Sequence, residues 1–434
     1  MRDLVNSGID WLGDMPSHWE VYRNKALFSN VSIKNHGDAT VLSLYRELGV
    51  IPKDSRDDNH NVTSLDTDSY KYVEQGDLVI NKMKAWSGSL GISDYEGIVS
   101  PAYYVCKVDY SKVAPRFIHH YLRNLGIVEA YEMYSAGMRI GQWDLGIDDF
   151  MSIKVGLPPL QEQERIAERI DTETEKVDAL IANQQAQIEK LKQYKQSLIT
   201  EVVTKGLDPN APMKDSGVDV IGEIPKHWNV RKNLFCLEMP ITDGPHTTPE
   251  LYDDGIPFVS AEAVSCGNGS IDFDHIRGYI SQEFYEECCL KYIPQRDDIY
   301  MIKSGATTGR VSIVDTDRIF TIWSPLAVMR CNKQIMTPKF LFYYLQSVCF
   351  QRQVELGWTY GTQQNIGMRT LEKLKVIVPP LDEQVKMIGI LDTKCEKIKG
   401  LIQIKEQKIA KLTDYKKSVI YEYVTGKKEV GLNE

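Results

Sequence analysis

The chain writes one frame twice. Ser7-Gly-Ile-Asp-Trp-Leu-Gly-Asp-Met-Pro-Ser-His-Trp-Glu-Val21 returns 209 residues later as Ser216-Gly-Val-Asp-Val-Ile-Gly-Glu-Ile-Pro-Lys-His-Trp-Asn-Val230, with 8 of 15 positions identical. Val155 to Thr204 returns 221 residues later as Val376 to Thr425, with 22 of 50 identical and no gap. The stretches between these repeats barely align. A kept frame around diverged inserts places two different readers in equivalent positions, which a single catalytic centre would not need.

The second repeat has a direct physical reading. Pro158-Pro159 stops whatever precedes it, because proline removes a backbone donor and restricts its neighbour. From Glu162 no proline or glycine occurs until Gly206. Ile166, Ile170, Val177, Leu180, Ile181, Ile188, Leu191 and Leu198 are spaced by three, four and seven, which is one helical stripe. Leu391, Ile398, Leu401, Ile402, Ile409, Leu412 and Val419 fall at the matching places. Each helix should run on the order of 60 Å at 1.5 Å per residue. A helix this long must bury its stripe, and its own duplicate is the nearest partner. The expected arrangement is an antiparallel intramolecular coiled coil, since a globular insert lies between the two.

The inserts, about 22–155 and 231–376, read as mixed α+β. Candidate strands are Asp77–Asn81 and Tyr103–Val108 in the first, with Asp298–Ile302, Val311–Val314 and Leu326–Met329 in the second. A short helix follows in each, Pro115–Leu122 and Pro338–Leu345, with proline near the first turn. Gly76-Asp77 lines up with Asp297-Asp298, and Ser100-Pro101-Ala102 with Ser324-Pro325-Leu326, so the inserts are diverged copies of one domain type.

At 434 residues the chain holds two to four domains. Neither an apolar leader nor a run of eighteen apolar residues occurs, so secretion and membrane spanning are not indicated and a cytoplasmic location is expected. The eight cysteines form no C-x-x-C pair, which argues against a disulfide or zinc framework. A net charge of −9 argues against a nonspecific polyanion binder, yet phosphate contact needs only a local basic face. No Walker-type phosphate loop, G-x-G-x-x-G, H-E-x-x-H or G-x-S-x-G motif is present, nor an Asn-Pro-Pro-aromatic or Asp-Pro-Pro-aromatic tetrapeptide. The chain reads as a non-catalytic binding subunit.

This organisation resembles the specificity (S) subunit of type I restriction-modification enzymes across essentially the whole chain. The resemblance rests on Met15-Pro-Ser-His-Trp19 and Ile224-Pro-Lys-His-Trp228, on Leu157-Pro-Pro-Leu-Gln-Glu-Gln163 and Val378-Pro-Pro-Leu-Asp-Glu-Gln384, and on the helix ends Leu191 to Glu201 and Leu412 to Glu422. It implies an α+β chain with two mixed α/β target recognition domains, separated by two long antiparallel helices in a pseudo-two-fold coiled coil. The expected boundaries are 1–155 for the first domain and its anchor, 156–207 for the central helix, 208–376 for the second domain and its anchor, and 377–434 for the last helix. The resemblance also implies that the chain recognises a bipartite, asymmetric site on double-stranded DNA. Its partners would be two methyltransferase subunits and the restriction/translocase subunits. No cofactor or metal is expected on this chain, with S-adenosylmethionine and ATP held by the partners. A methyltransferase-only or fused restriction system stays open, as does a coiled-coil scaffold with two protein-binding heads.

Loops rich in glycine, hydroxyls, arginine and amides are the candidate readers, because they approach phosphates through backbone N–H groups and reach base edges through side chains. In the second insert these are Asp243-Gly-Pro-His-Thr-Thr-Pro249 (His246, Thr247), Ser304-Gly-Ala-Thr-Thr-Gly-Arg310 (Ser304, Thr307, Thr308, Arg310) and Gly361-Thr-Gln-Gln-Asn-Ile366 (Thr362, Gln363, Gln364, Asn365). In the first insert they are Lys82, Lys84, Arg139 and Gln142, with Trp86 and Trp143 read as packing residues. The first insert lacks the Asp-Gly-Pro-His loop. Adjacent His119 and His120 on a helix point to different faces, so metal ligation is not expected of them. His18-Trp19 and His227-Trp228 read as anchors. Glu162, Gln163, Glu383 and Gln384 suit either the positive helix start or partner docking.

Overall fold

The computed structural model describes residues 3–431 apart from 35, 37, 47, 56–66, 138–142 and 361–363. The chain forms two compact units, Met1–Gln185 with Glu406–Glu434, and Ala186–Lys405. Two long helices, Leu160–Lys205 and Leu381–Val424, run as expected from the proline-free stretches. Each unit therefore owns the opening half of one helix and the closing half of the other.

Within each unit the two half-helices are antiparallel. In the first, Arg169 Nε donates to the Tyr423 hydroxyl (3.3 Å) and Lys416 lies 2.7 Å from Asp178, so numbers rise along one helix as they fall along the other. In the second, Lys405 Nζ donates to Gln187 Oε1. Ile166, Ile170 and Val177 are buried, and a core shared with Val419, Tyr423 and Val424 takes in the first two. Leu198, Ile199 and Val202 are buried with Met387, Leu391 and Ile398. The stripe is narrower than its spacing suggests. Leu180 and Leu401, at the same repeat position, are 46% and 48% exposed. A two-helix seam covers little beyond one apolar row on each partner, so a flanking leucine stays outside it.

Each insert contains a four-stranded antiparallel sheet of identical topology. The first orders Phe28–Val31, Tyr103–Val108, Leu78–Asn81 and Leu90–Ile92; the second orders Thr242–Asp243, Leu326–Met329, Ile299–Ile302 and Val311–Ile313. The first and last strands of each insert also pair, Glu20–Arg23 with Lys154–Leu157 and Asn229–Lys232 with Lys375–Val378. These pairs close each insert at the start of a long helix.

The turn into the third strand explains one alignment seen in the sequence. Gly76 and Asp297 both adopt positive φ (93° and 74°). In each case the next residue is a buried aspartate bonded to a cation on the neighbouring strand (Lys107) or just past its end (Arg330). Asp77 meets Lys107 at 3.0 Å, and Asp298 meets Arg330 through two oxygens at 2.7 and 2.8 Å.

The repeated motifs lock the helix starts. His18 Nε2 and Trp19 Nε1 lie 2.7 and 3.3 Å from the two oxygens of Glu162. His227 and Trp228 hold Glu383 in the same way at 2.7 and 2.9 Å. The neighbouring glutamines are fully buried and bond only to backbone on the insert side or at the proline turn, apart from one threonine hydroxyl. Gln163 Oε1 accepts from Ala114 N–H (2.8 Å) while its amide donates to the carbonyls of Lys112 and Pro158 (both 2.9 Å). Gln384 accepts from Thr337 N–H (2.8 Å) and Thr337 Oγ1 (3.1 Å), and donates to Ile335 and Pro379 (3.1 and 2.9 Å). These Glu-Gln pairs face inward and fasten insert to helix.

Each anchor also receives the end of the opposite repeat's helix. Gly206 (φ 77°) and Gly426 (φ 72°) leave their helices in the left-handed conformation. A Cβ on Gly206 would come 3.1 Å from Trp228, and one on Gly426 2.5 Å from Pro16. The one-residue shift between Val203-Thr-Lys-Gly206 and Val424-Thr-Gly-Lys427 is thus a shift in where the helix stops.

Candidate nucleic-acid interface

One corner of each sheet gathers the candidate readers. The chain leaves strand Leu78–Asn81 at Lys82 and strand Ile299–Ile302 at Lys303. The Lys82 carbonyl accepts from Leu145 N–H (3.0 Å), and the Lys303 carbonyl from Ile366 N–H (2.9 Å). These bonds dock a two-stranded ribbon against each corner, Ser135–Ala136 with Asp144–Leu145 and Thr359–Tyr360 with Gln364–Asn365.

In the second unit the three segments singled out from the sequence meet here. Gly305 N–H donates to the Gln364 carbonyl (3.0 Å), and Ser304 bridges Asn365. Within the loop, Thr308 Oγ1 donates to the Gly305 carbonyl (2.7 Å), so this hydroxyl shapes the turn. Gly309 (φ 94°) gives its N–H to the Ile302 carbonyl (2.8 Å), and the Gly309 carbonyl accepts from Gln351 Nε2 (2.9 Å). Arg310 is exposed, with Nη1 3.3 Å from the Ser265 carbonyl. Thr307 is half-buried, and Gln364 and Asn365 are exposed. Thr362 and Gln363 lie outside the described residues.

Asp243 joins the third segment to this corner. It is buried, with Lys291 at 2.5 Å, Lys303 at 3.1 Å and His246 at 3.2 Å. Burial alone would push its carboxyl up, but the hydrogen bonds from Lys291 and Lys303 outweigh that and hold it below the usual carboxylate range. Only glycine fits at 244, where a Cβ would come 2.0 Å from the Ile322 carbonyl. His246 and Thr247 stand exposed beyond this fixed base. Next to it, the exposed Arg277 guanidinium stacks 3.7 Å over the Trp323 ring.

The first unit builds the same corner with fewer ties. Lys82 Nζ sits 3.8 Å from Asp144, and Lys84 is exposed. Trp86 and Trp143 pack edge to face at 5.3 Å, the packing role their composition suggests. Lys71 lies near Lys34 and Lys82; burial, then repulsion from those two lysines, lowers its pKa, which marks a locally positive surface. Arg139 and Gln142 lie outside the described residues. His119 accepts from Arg123 (2.9 Å), while His120 meets Asp171 (2.9 Å), so the adjacent imidazoles have separate partners.

Sequence reading passed over Lys303, Lys291 and Arg277. For Lys303 the sequence does carry a signal: the 221-residue offset sets it opposite the candidate reader Lys82. Lys291 and Arg277 meet this corner only through long-range folding.

The profile of the type I restriction modification DNA specificity domain matches residues 16–190 and 245–414. The chain belongs to this family. A type I specificity chain provisionally named the MjaX specificity subunit, from Methanocaldococcus jannaschii, is 24% identical over 96% of this chain and 95% of its own length. The EcoBI specificity subunit of Escherichia coli is 25% identical over 65% of this chain and 60% of its own. A solved chain from a study of complex assembly and conformational transition of the type I R-M system shares the fold. Its TM-score is 0.64 at 17% identity, covering 94% of this chain and 98% of that one. Among the described residues of this specificity subunit, no helix is long and apolar enough to cross a membrane.

Proposed function

We propose that this type I specificity subunit reads a bipartite, asymmetric site on double-stranded DNA, one half-site per unit, and directs partner subunits to it. The observation that carries the reading is the meeting of the Asp243–Pro249, Ser304–Arg310 and Gln364–Ile366 segments at one sheet corner, matched by the Lys82 corner of the first unit. His246, Thr247, Ser304, Thr307, Arg310, Gln364 and Asn365 would contact DNA, with Thr362 and Gln363 in the same segment and Thr308 holding the turn. In the first unit Lys82, Lys84, Arg139 and Gln142 would do so. Arginine and amide side chains there would take base edges, and lysines the phosphates.

Two methyltransferase subunits would dock on the long helices, with restriction/translocase subunits joining that core. Leu180 and Leu401, and likewise Tyr194 and Tyr415, are exposed at equivalent repeat positions (46%, 48%, 55% and 49%), which suits two copies of one partner. The chain would itself be non-catalytic, with S-adenosylmethionine and ATP bound by those partners.

The test is reconstitution with the methyltransferase partner, read as methylation and salt-dependent binding of defined duplexes. One split site should be methylated, and Lys82→Ala should lower affinity about 3- to 10-fold and reduce the salt slope by about one. Methylation of no defined bipartite site contradicts the reading.

A further inference from the structure

One arginine at the corner of the second unit is held in place with its donors unspent. Trp323 belongs to the turn into the strand Leu326–Met329, where its N–H donates to the Val259 carbonyl (2.9 Å) and its carbonyl accepts from Leu326 N–H (3.1 Å). The same turn offers the Pro325 carbonyl to Lys303 N–H (2.8 Å), and a Cβ on Gly244 would come 2.8 Å from the Trp323 carbonyl carbon. The indole is thus built into the corner where the Asp243 and Ser304 loops meet. The buried Phe258 ring packs on it at 6.5 Å, and the Arg277 guanidinium carbon lies 3.7 Å over it. The backbone beneath that arginine is pinned as well. Arg277 N–H donates to the Phe258 carbonyl (3.2 Å), and Phe258 N–H to the Gly278 carbonyl (2.9 Å).

The other cations of this corner are committed. Lys291 and Lys303 hold the buried Asp243, and Arg310 Nη1 lies 3.3 Å from the Ser265 carbonyl. Among the described residues the exposed Arg277 guanidinium meets no acceptor and no carboxylate. A guanidinium this close to an aromatic face gives one side to the ring and keeps its N–H donors. The first unit has no such platform. Ser100-Pro101-Ala102 lines up with Ser324-Pro325-Leu326, which sets a fully buried Val99 at the place of Trp323.

We propose that Arg277 is a specificity-determining residue of the second unit and reads a guanine through O6 and N7 in the major groove. The assignment rests on the DNA-reading role proposed above. A phosphate asks only for positive charge, which a flexible lysine supplies. A planar fork held on an indole matches the two adjacent acceptors of guanine and mismatches adenine, which presents a donor beside N7.

The complex reconstituted with its methyltransferase partner, given duplexes randomised across both half-sites, tests the assignment when the methylated molecules are sequenced. The parent should require a G·C pair at a position that Arg277→Ala relaxes, with a loss of about 5- to 100-fold in preference there. The other half-site should keep its sequence, and the melting temperature should not move, because the side chain is exposed. Arg277→Lys keeps the charge, gives up the fork and should restore little of the preference. A parent site without G·C in either half overturns the assignment. So does an unchanged preference in Arg277→Ala, or a uniform loss at all positions that Arg277→Lys repairs, which marks a phosphate contact. A parent that methylates no defined site contradicts the proposed function itself, and Arg277 falls with it.

Discussion

The two units share a frame to the level of single hydrogen bonds and differ in what they hang on it. Glu162 and Glu383 take the same His and Trp, and Gln163 and Gln384 close the same proline turn. Yet one unit fixes its reading corner with a buried Asp243 between Lys291 and Lys303, while the other leaves Lys82 at 3.8 Å from an exposed Asp144. Buried, fully paired polar groups are costly to alter because each loss orphans a partner. Divergence has collected in the inserts, the buried Asp243 included, and the frame has stayed.

The largest break in this comparison should come from Gly244→Ala. The new Cβ would collide with the Ile322 carbonyl, and about 3 kcal/mol of stability should be lost from the second unit. Hydrogen exchange should show that loss in 231–376 and little change in 22–155. Next, Gln163→Ala and Gln384→Ala should each cost about 2–3 kcal/mol by denaturant unfolding, since each orphans buried backbone partners. Unequal costs would break the equivalence of the two frames.

A smaller effect sharpens the contrast through pH. His119 titrates near 4 when folded, below its ordinary value, so the unfolded chain takes up a proton that the folded chain refuses. Its contribution is complete above about pH 6.5 and is lost as pH falls toward 4. The loss should reach about 2 kcal/mol by pH 5. The second unit has Phe342 at the matching position and carries no such dependence. Exchange rates for the two units between pH 7 and 5 should therefore diverge; His119→Phe should reduce the divergence, and the remainder belongs to His120, which burial first and then neighbouring cations push down to about 3.

Much of the frame was readable because it is local and written twice. Periodicity fixed the helices, and Pro115 and Pro338 marked the short ones. Candidate strands began one residue early at Asp77 and Asp298, because each aspartate turns back to bond the residue three before it, Glu74 and Gln295. Whether Glu162 and Gln163 faced a partner or the interior was undecided by sequence, since dipole and docking ask for the same residue types. Burial and the contacts to Ala114 and His18 decide it, and those contacts are made across 49 and 144 residues. Leu180 looked like core by spacing and lies outside a seam too narrow to take it.

The central claim is that equivalent frames carry interchangeable readers. The measurement that tests it most directly replaces residues 231–376 with 22–155 and maps every methylated base in a genome exposed to the reconstituted methyltransferase. The account predicts that one half-site persists while the other becomes a second copy of it. An unchanged asymmetric site, made by a folded and active assembly, would contradict it.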